Sequence, residues 1–470
     1  MPRKSKHPKP SRASRRKGAT LRKMAYQVLW AVERGAFTDE VLESFRARLS
    51  DPRDRDFLTE LVQGVLRWQG FLDFLIHRAT GGAYYRIKPE VRILLRIGFY
   101  QLHFMERVPA YAAVSSTVEA ARHLSGISTD VLNAILRRGA ELVPSEELQV
   151  ITGDFVRHLS VRYSMPQWMV RRWLERWGRD RTERILAACL RKPVLYLRRN
   201  PLGPPADRFV DGLAAEGVRV EPEPGQEDCY RVILGNPVRT DAFRKGYFLI
   251  QDATSQLIPR FTLARPGQAL LDACAAPGNK TAGLLVQMAF RGRLIAFDLH
   301  PERLKETRAN LLRFLQRTEL STKVLRLSLV TADARHPPLP QGAMFDSILV
   351  DAPCSNLGVI RRHPEVKWRV TIQEIKQLAQ LQGQILDGVA AHVKIGGRLV
   401  YAVCTLEQEE TFDVVRAFLE RHPEFQLEPL DRGNFPIPTE RVIDGYFFVT
   451  HYDEVDADAF FAVVLRRRGN

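Results

Sequence analysis

Apolar residues recur three and four apart from Leu21 to about Leu142, the spacing that lines one face of successive helices. In "RDFLTELVQGVLRWQGFLDFLI" they are Leu58, Leu61, Val62, Val65, Trp68, Leu72 and Leu75. "EVRILLRIGFYQLHF" repeats the pattern with Val91, Leu94, Leu95, Gly98 and Leu102, and "VLNAILRR" adds a segment ending in positive charge. This part predicts an all-helical bundle. Nothing in it has catalytic spacing, which leaves scaffold or RNA-binding module as its role.

Beyond it the periodicity changes. "PVLYLRRN", "PPADRFVDGLAAEG" and "CYRVIL" read as strand, helix and strand, a small α+β subdomain reaching about residue 245. The last half alternates strands and helices, with strands at "ALLDAC", "GRLIAFD", "VLRLSLVTAD", "FDSILVDA" and "GRLVYAV", and closes on "YFFVTHY" and "AFFAVVLRRR". The expectation is a mostly parallel, doubly wound α/β sheet whose ligands sit at the carboxyl ends of the strands. Those ends carry Asp272, Asp298, Asp333 and Asp351, with Cys274, Cys354 and Cys404. The predicted division is a basic tail over 1–20, a helical domain over 21–145, a linker helix with the α+β subdomain over 146–245, and a catalytic domain over 246–470.

Charge adds a partner. Residues 1–23 hold ten Lys or Arg and no acid, more than half of the formal net charge of +16. Such a stretch has too few apolar groups to fold and suits phosphate, or simply solubilises the chain. Its composition fits neither a secretory signal nor a transit peptide. Residues 171–200 add ten basic residues against three acids, interleaved with Trp173, Trp177 and Tyr196. Basic and aromatic groups together can grip a nucleic-acid backbone and stack on bases, although tryptophans four apart equally form the buried side of a helix. The five cysteines show no metal-pair spacing and imply neither a disulfide framework nor a metal site, so a reducing cytoplasm is expected. No apolar run approaches the ~18 residues of a membrane span.

The loop "DACAAPGNKT" lacks the glycines of a dinucleotide or P-loop motif, yet Ala275, Ala276 and Gly278 let backbone approach a ligand closely. Acids at successive strand ends suit a nucleoside cofactor, with Asp298 placed for ribose hydroxyls and Asp333 where an adenine would lie. Cys404 stands where an apolar run meets Thr405, Glu407 and Gln408. Buried cysteine usually acts as a small hydrophobe, but a thiol at a polar strand end beside Cys354 can meet a substrate.

"DACAAPGNKT", "DAPCSNLG", "RRHPEVKW" and "YAVCTLEQEE", in this order, resemble the NOL1/NOP2/Sun family of RNA cytosine-C5 methyltransferases. "GFYQLHFMERVPAYAAVSSTVEAA" and "LNAILRR" look like a NusB-type RNA-binding domain, the combination found in the bacterial Sun/Fmu type. The resemblance spans roughly residues 20 to 467 and implies an N-terminal NusB-like bundle and a C-terminal Rossmann-like class I methyltransferase domain. It also implies S-adenosylmethionine as cofactor and a cytosine of small-subunit (16S) ribosomal RNA as target. By similarity Cys404 is the nucleophile that adds to cytosine C6, and Cys354 assists loss of the C5 proton or product release. Asp351 would face N3 of the base and lie near the cofactor. Cys274, Ala275, Ala276, Pro277, Gly278, Asn279 and Lys280 would cradle the methionine end, Asp298 the ribose and Asp333 the adenine. Lys280 would also favour the Cys404 thiolate.

The chain departs from the family pattern at Asn279, where a second glycine is usual, at Asn356, and at Ala402 and Val403. Asn279 is expected to adopt positive φ in a glycine's stead. Rival readings are a non-catalytic ribosome-assembly factor, a methyltransferase acting on another RNA such as tRNA, and a DNA C5 methyltransferase using Pro353-Cys354. The last leaves Cys404 and the helical half unused. Sequence does not specify an oligomeric state, and a monomer is the default.

Overall fold

Caps punctuate the helical half where its apolar spacing pauses. Asp51 accepts from the Arg53 amide and Pro52 opens the helix Pro52–Ala79, while Ser128 accepts from Val131 at the head of Thr129–Gly139. In the computed structural model, which describes residues 12–469 apart from 123, 125, 126, 150, 152, 316–324, 432, 434 and 436, the chain divides into two units. One runs to Arg191 and includes His363–Arg369; the other comprises Lys192–Arg362 and the chain from Val370 onward.

The helical unit contains Arg12–Glu33, Thr38–Arg46, Pro52–Ala79, Pro89–Phe104, Ala110–Ala121 and Thr129–Gly139, followed by three further helices to Cys189. Its core gathers the predicted face, including Leu58, Leu61, Val65, Leu72, Leu94 and Leu95, all essentially inaccessible. The first helix begins at Arg12, inside the stretch expected as tail, because its apolar face starts at Ala19 and Leu21 and supports the turns before it. Residues 1–11 of the expected tail lie outside the described residues. Trp173 is 3% exposed and belongs to the packed side of Gln167–Cys189, a helix broken at Gly178 by φ 72°. That removes Trp173 from any stacking surface, and Tyr196, 1% exposed, is likewise core.

The "HPEVKWR" stretch completes this unit. Lys367 Nζ donates to the Arg67 carbonyl at 2.9 Å, Trp368 Nε1 to the Leu66 carbonyl at 3.0 Å, and Arg369 to the carbonyls of Val32 and Ala36. A Cβ at Gly70 would stand 2.7 Å from the Trp368 ring, so that close approach depends on glycine.

In the second unit β1 (Tyr196–Arg199), β2 (Arg219–Pro222), β3 (Cys229–Leu234) and β4 (Phe248–Ile250) form an antiparallel sheet in the order β2-β3-β1-β4. Helix Ala206–Ala215 packs Phe209 and Leu213 onto it beside Leu197 and Phe248. The expected boundary at 245/246 therefore falls before β4, which pairs with β1 and closes this small sheet.

The larger sheet has nine strands: β5 (Ala269–Asp272), β6 (Gly292–Asp298), β7 (Leu325–Thr331), β8 (Phe345–Asp351), β9 (Val393–Val403), β10 (Phe425–Leu427), β11 (Val442–Ile443), β12 (Phe447–Val449) and β13 (Phe461–Arg467). Its order is β11-β12-β13-β9-β8-β5-β6-β7, with β10 paired to β13. Only β5 to β9 are mutually parallel; β10 to β13 join antiparallel, so the sheet is mixed rather than mostly parallel. The closing apolar runs are strands of this edge, joined without the helical crossovers that parallel neighbours need. Strand order reverses direction between β5 and β8, the switch point that opens a crevice at the carboxyl ends.

Candidate active site

Parallel pairing of β8 with β9 sets Asp351 opposite Ala402, so both strands end at the same level and release their loops side by side. Cys404 follows β9 directly and Cys354 lies in the loop after β8; their sulfurs are 3.3 Å apart. The Cys404 thiol donates to Asn356 Oδ1 at 3.0 Å. Asn356 itself sits at φ 59°, a left-handed conformation that asparagine tolerates better than most residues. The loop is clamped further by Gly358, whose amide donates to the Cys404 carbonyl at 2.8 Å. A Cβ at Gly358 would stand 2.1 Å from the Ala459 carbonyl oxygen, so no other residue fits there.

Beneath both cysteines lies a carboxylate that sequence reasoning missed. Glu410, fully buried, accepts from the Ser355 amide at 2.8 Å, from Ser355 Oγ at 2.5 Å and from Gln382 Nε2 at 3.0 Å. Ser355 Oγ also meets Thr405 Oγ1 at 2.9 Å, which joins the residue after each cysteine. Glu410 stands in the polar string "EQEET", and nothing in that string signals burial.

Lys280 and Asp351 form a second pair, Nζ to Oδ2 2.5 Å. Burial pulls the Lys280 ammonium toward neutrality, but Asp351 outweighs it, with Cys404 adding to the same pull, so Lys280 stays charged. The Cys354 thiol is pushed well above the usual range by its hydrogen bond with Cys404 and by burial, which keeps it protonated. Burial, with Asp272 next, does the same to Cys274. Asp272, buried and hydrogen-bonded by Thr281 Oγ1 at 2.7 Å, has its carboxyl pushed up by desolvation to about 7.

A cleft of about 530 Å³ opens over these strand ends. Of the expected residues it brings together Cys274, Ala276, Asp298, Asp333, Asp351, Cys354 and Cys404. Ala275, Pro277, Gly278, Asn279 and Lys280 are not on its walls. Gly278, at φ 98°, is the residue that needs glycine, with the Thr307 side chain 3.0 Å from where a Cβ would stand. Asn279 begins the helix Asn279–Gln287 and donates to the Ile250 carbonyl at 3.1 Å, so the positive φ expected of it belongs to its neighbour. Asp298 accepts from the amides of Ala276 and His300 at 3.2 and 3.0 Å, and Arg335 holds Asp333 at 2.6 Å. Arg303, Arg335 and the apolar Leu381 and Ile385 also line the cleft and were not foreseen. Asp333, expected at the end of a strand, lies two residues beyond the end of β7 at Thr331, and Arg335 follows it by two, a spacing that carries no signal without the fold.

Among the described residues no group of three or more His, Cys, Asp or Glu is arranged to hold a metal, and no helix is long and apolar enough to cross a membrane.

This constellation, on this sheet order, has matches. A family profile described as 16S rRNA methyltransferase RsmB/F covers residues 261–466, a NusB family profile covers 19–141, and the ferredoxin-like domain of RsmF/B-like methyltransferases covers 165–240. The chain is 33% identical over 467 residues to the probable ribosomal RNA small subunit methyltransferase B of Bacillus subtilis, covering 96% of this chain and 100% of that one. The chain belongs to the 16S rRNA methyltransferase RsmB/F family. The ribosomal RNA small subunit methyltransferase B of Vibrio cholerae is 35% identical over 405 residues, covering 84% of this chain and 89% of its own. A methyltransferase homologue from Pyrococcus horikoshii superimposes with TM-score 0.56 at 27% identity, over 67% of this chain and 99% of that one. The crystal structure of PH0851 shares the fold at TM-score 0.80 and 24% identity, over 98% of this chain and 100% of that chain. The three expected parts, a NusB-type helical domain, a small α+β subdomain and a methyltransferase domain, are those of the RsmB/F family.

Proposed function

We propose that this RsmB/F-family chain methylates C5 of a cytosine in small-subunit ribosomal RNA, with S-adenosylmethionine as methyl donor and Cys404 as covalent nucleophile. The observation that carries the reading is the pair of thiols 3.3 Å apart at neighbouring strand ends, in one cleft with Asp298, Asp333 and Asp351. S-adenosylmethionine would supply an electrophilic methyl group. The residues present fit it: strand-end acids for hydroxyl and amino groups, backbone at Cys274 and Ala276, and an apolar wall of Leu381 and Ile385.

Cytosine C5 is a weak nucleophile. Addition of the Cys404 sulfur to C6 breaks the C5–C6 double bond and leaves an enamine whose C5 carries the electron density that a methyl group needs. Lys280, buried and charged beside Asp351, favours the thiolate over the thiol. N3 takes up a proton from water as negative charge develops there, and Asp351, held by Lys280, accepts the hydrogen bond from that N3–H, an interaction realised only in the adduct. After methylation the C5 proton passes to water, its bonding pair re-forms the C5–C6 double bond, and Cys404 leaves C6 as the thiolate, restoring the aromatic ring. Cys354, held protonated against Cys404, assists this release. The target base must be unpaired or flipped to reach the thiols.

The test incubates the protein with methyl-labelled S-adenosylmethionine and, separately, unmodified 16S rRNA, tRNA and DNA of the 16S sequence. Label on C5 of one cytosine in 16S rRNA is expected. Label only on tRNA or DNA would assign a different substrate, and no label with a bound cofactor would point to an assembly factor.

A further inference from the structure

Helix Ile372–Ala390 opens on the Thr371–Glu374 capping box and buries Ile375, Gln382, Ile385, Leu386 and Val389. Their helical spacing makes this one inward face, and Gln382 is the one polar residue on it. A primary amide there must find its partners inside the protein. Gln382, fully buried, donates from Nε2 to the Pro353 carbonyl at 2.9 Å and to Glu410 Oε1 at 3.0 Å, while its Oε1 meets the Tyr401 hydroxyl at 3.0 Å. Both amide hydrogens are used, which fixes the head group in one orientation.

These partners flank a reactive thiol. Pro353 precedes Cys354 and Ser355 follows it. Ser355 is tied to the same carboxylate, its amide donating to Glu410 Oε1 at 2.8 Å and its hydroxyl to Oε2 at 2.5 Å. Gln382 and Glu410 thus close a clamp on both sides of Cys354, whose sulfur faces that of Cys404 at 3.3 Å. Cys404 is held by other bonds, its carbonyl by the Gly358 amide and its thiol by Asn356, and it meets the clamp through the contact of Ser355 with Thr405. Leu381 and Ile385 of the same helix line the catalytic cleft, whereas Gln382 and Glu410 are not on its walls.

We propose that Gln382 and Glu410 are positioning residues for Cys354, gripping the residues on either side of it so that its thiol stays in place for release of the methylated base. The inference rests on the reaction proposed above, in which Cys354 assists that release. The pair acts through Pro353 and Ser355 and touches neither base nor cofactor. A displacement of about 1 Å at a reacting group can cost on the order of a hundredfold in rate. Loss of the clamp is therefore felt at the step Cys354 serves more than at the bond Cys404 forms.

The experiment mixes 16S rRNA and methyl-labelled S-adenosylmethionine with full-length wild type, Gln382→Met, Glu410→Met, Glu410→Gln and Cys354→Ala, and follows methylcytosine and covalent protein–RNA species on a denaturing gel. The two methionine variants break the clamp from either side, so that if one does not fold the other carries the comparison. Each is expected to hold a labelled adduct, as Cys354→Ala does, with kcat lowered roughly tenfold or more and the KM for RNA unchanged. Glu410→Gln keeps the Oε1 that takes both the Ser355 and Gln382 donors and should restore release. A pair that served stability alone would lower the unfolding midpoint without trapping adduct, and that result in a natively folded methionine variant would overturn the proposal. So would loss of adduct and product together, which would put the clamp's effect at Cys404. A second measurement needs no RNA: diamide takes two electrons and two protons from the thiols, becomes the hydrazine, and leaves a Cys354–Cys404 disulfide whose rate is read by peptide mass spectrometry. The bridge should form several-fold more slowly in the methionine variants, and an equal rate would overturn the positioning role. If Cys354→Ala traps no adduct, the proposed reaction fails instead, and the diamide rates decide by themselves whether the pair positions Cys354.

Discussion

The Cys404 thiol donates to Asn356 Oδ1 at 3.0 Å, and this bond aims the sulfur along the rim of the cleft it shares with Cys354. Asn356→Gly keeps the left-handed backbone and deletes only the acceptor. Such a bond is worth roughly 0.5–1.5 kcal/mol, so methyl transfer is expected to slow about two- to tenfold with little change in the unfolding midpoint. Asn356→Ala should add a stability loss of about 1 kcal/mol from a Cβ at positive φ. Steady-state kinetics beside urea titration of the two variants checks both.

Lys280→Met removes the cation beside Cys404 and leaves Asp351 without its partner. Alkylation of Cys404 by iodoacetamide at neutral pH, followed by peptide mapping, should slow several-fold, because the thiolate is the reacting form. An unchanged rate would remove Lys280 from thiol activation and leave it only its pairing with Asp351.

Glu410→Ala strips the common acceptor from Ser355 and Gln382. Buried donors left unmatched, with hydrogen bonds to a charged group lost, amount to about 2–3 kcal/mol of unfolding free energy. Glu410→Gln keeps an acceptor and should lose less. Chemical denaturation of both variants measures the difference.

Asp272 gives a pH signature. Its carboxyl, raised to about 7 by burial, holds a proton in the fold between about pH 4 and pH 7 that the unfolded chain has released. Stability from this group is therefore present at low pH and is lost as pH rises through that window. Asp272→Asn should be free of this slope, so its unfolding free energy relative to wild type should improve from about pH 5 to about pH 8. Urea titrations of both proteins at the two pH values check the sign.

Much of this fold is legible in the chain because local periodicity and burial agree. Leu58, Leu61, Val65 and Leu72 repeat at helical spacing and are core, and the runs ending at Asp272, Asp298 and Asp351 are strands with those residues at their ends. Legibility fails where long-range packing decides. Phe248–Ile250 is too short to mark as a strand, yet it closes the small sheet. "HPEVKWR" carries no periodicity and lies against the helices of Leu66, Arg67 and Val32. Strand-end placement gave Cys354 and Cys404 as neighbours, whereas Glu410 beneath them and Arg335 against Asp333 are set by loop geometry. Asn279 shows the same limit, since a one-residue shift moves positive φ to Gly278.

The central claim is that the two thiols divide the work, Cys404 bonding the base and Cys354 releasing it. The most direct measurement mixes 16S rRNA and S-adenosylmethionine with wild type, Cys404→Ala and Cys354→Ala, and resolves the products on a denaturing gel. Cys354→Ala should accumulate a covalent protein–RNA species carrying the methyl label, while Cys404→Ala should form neither adduct nor methylcytosine. An adduct that persists in Cys404→Ala and disappears in Cys354→Ala would reverse the roles and contradict the account.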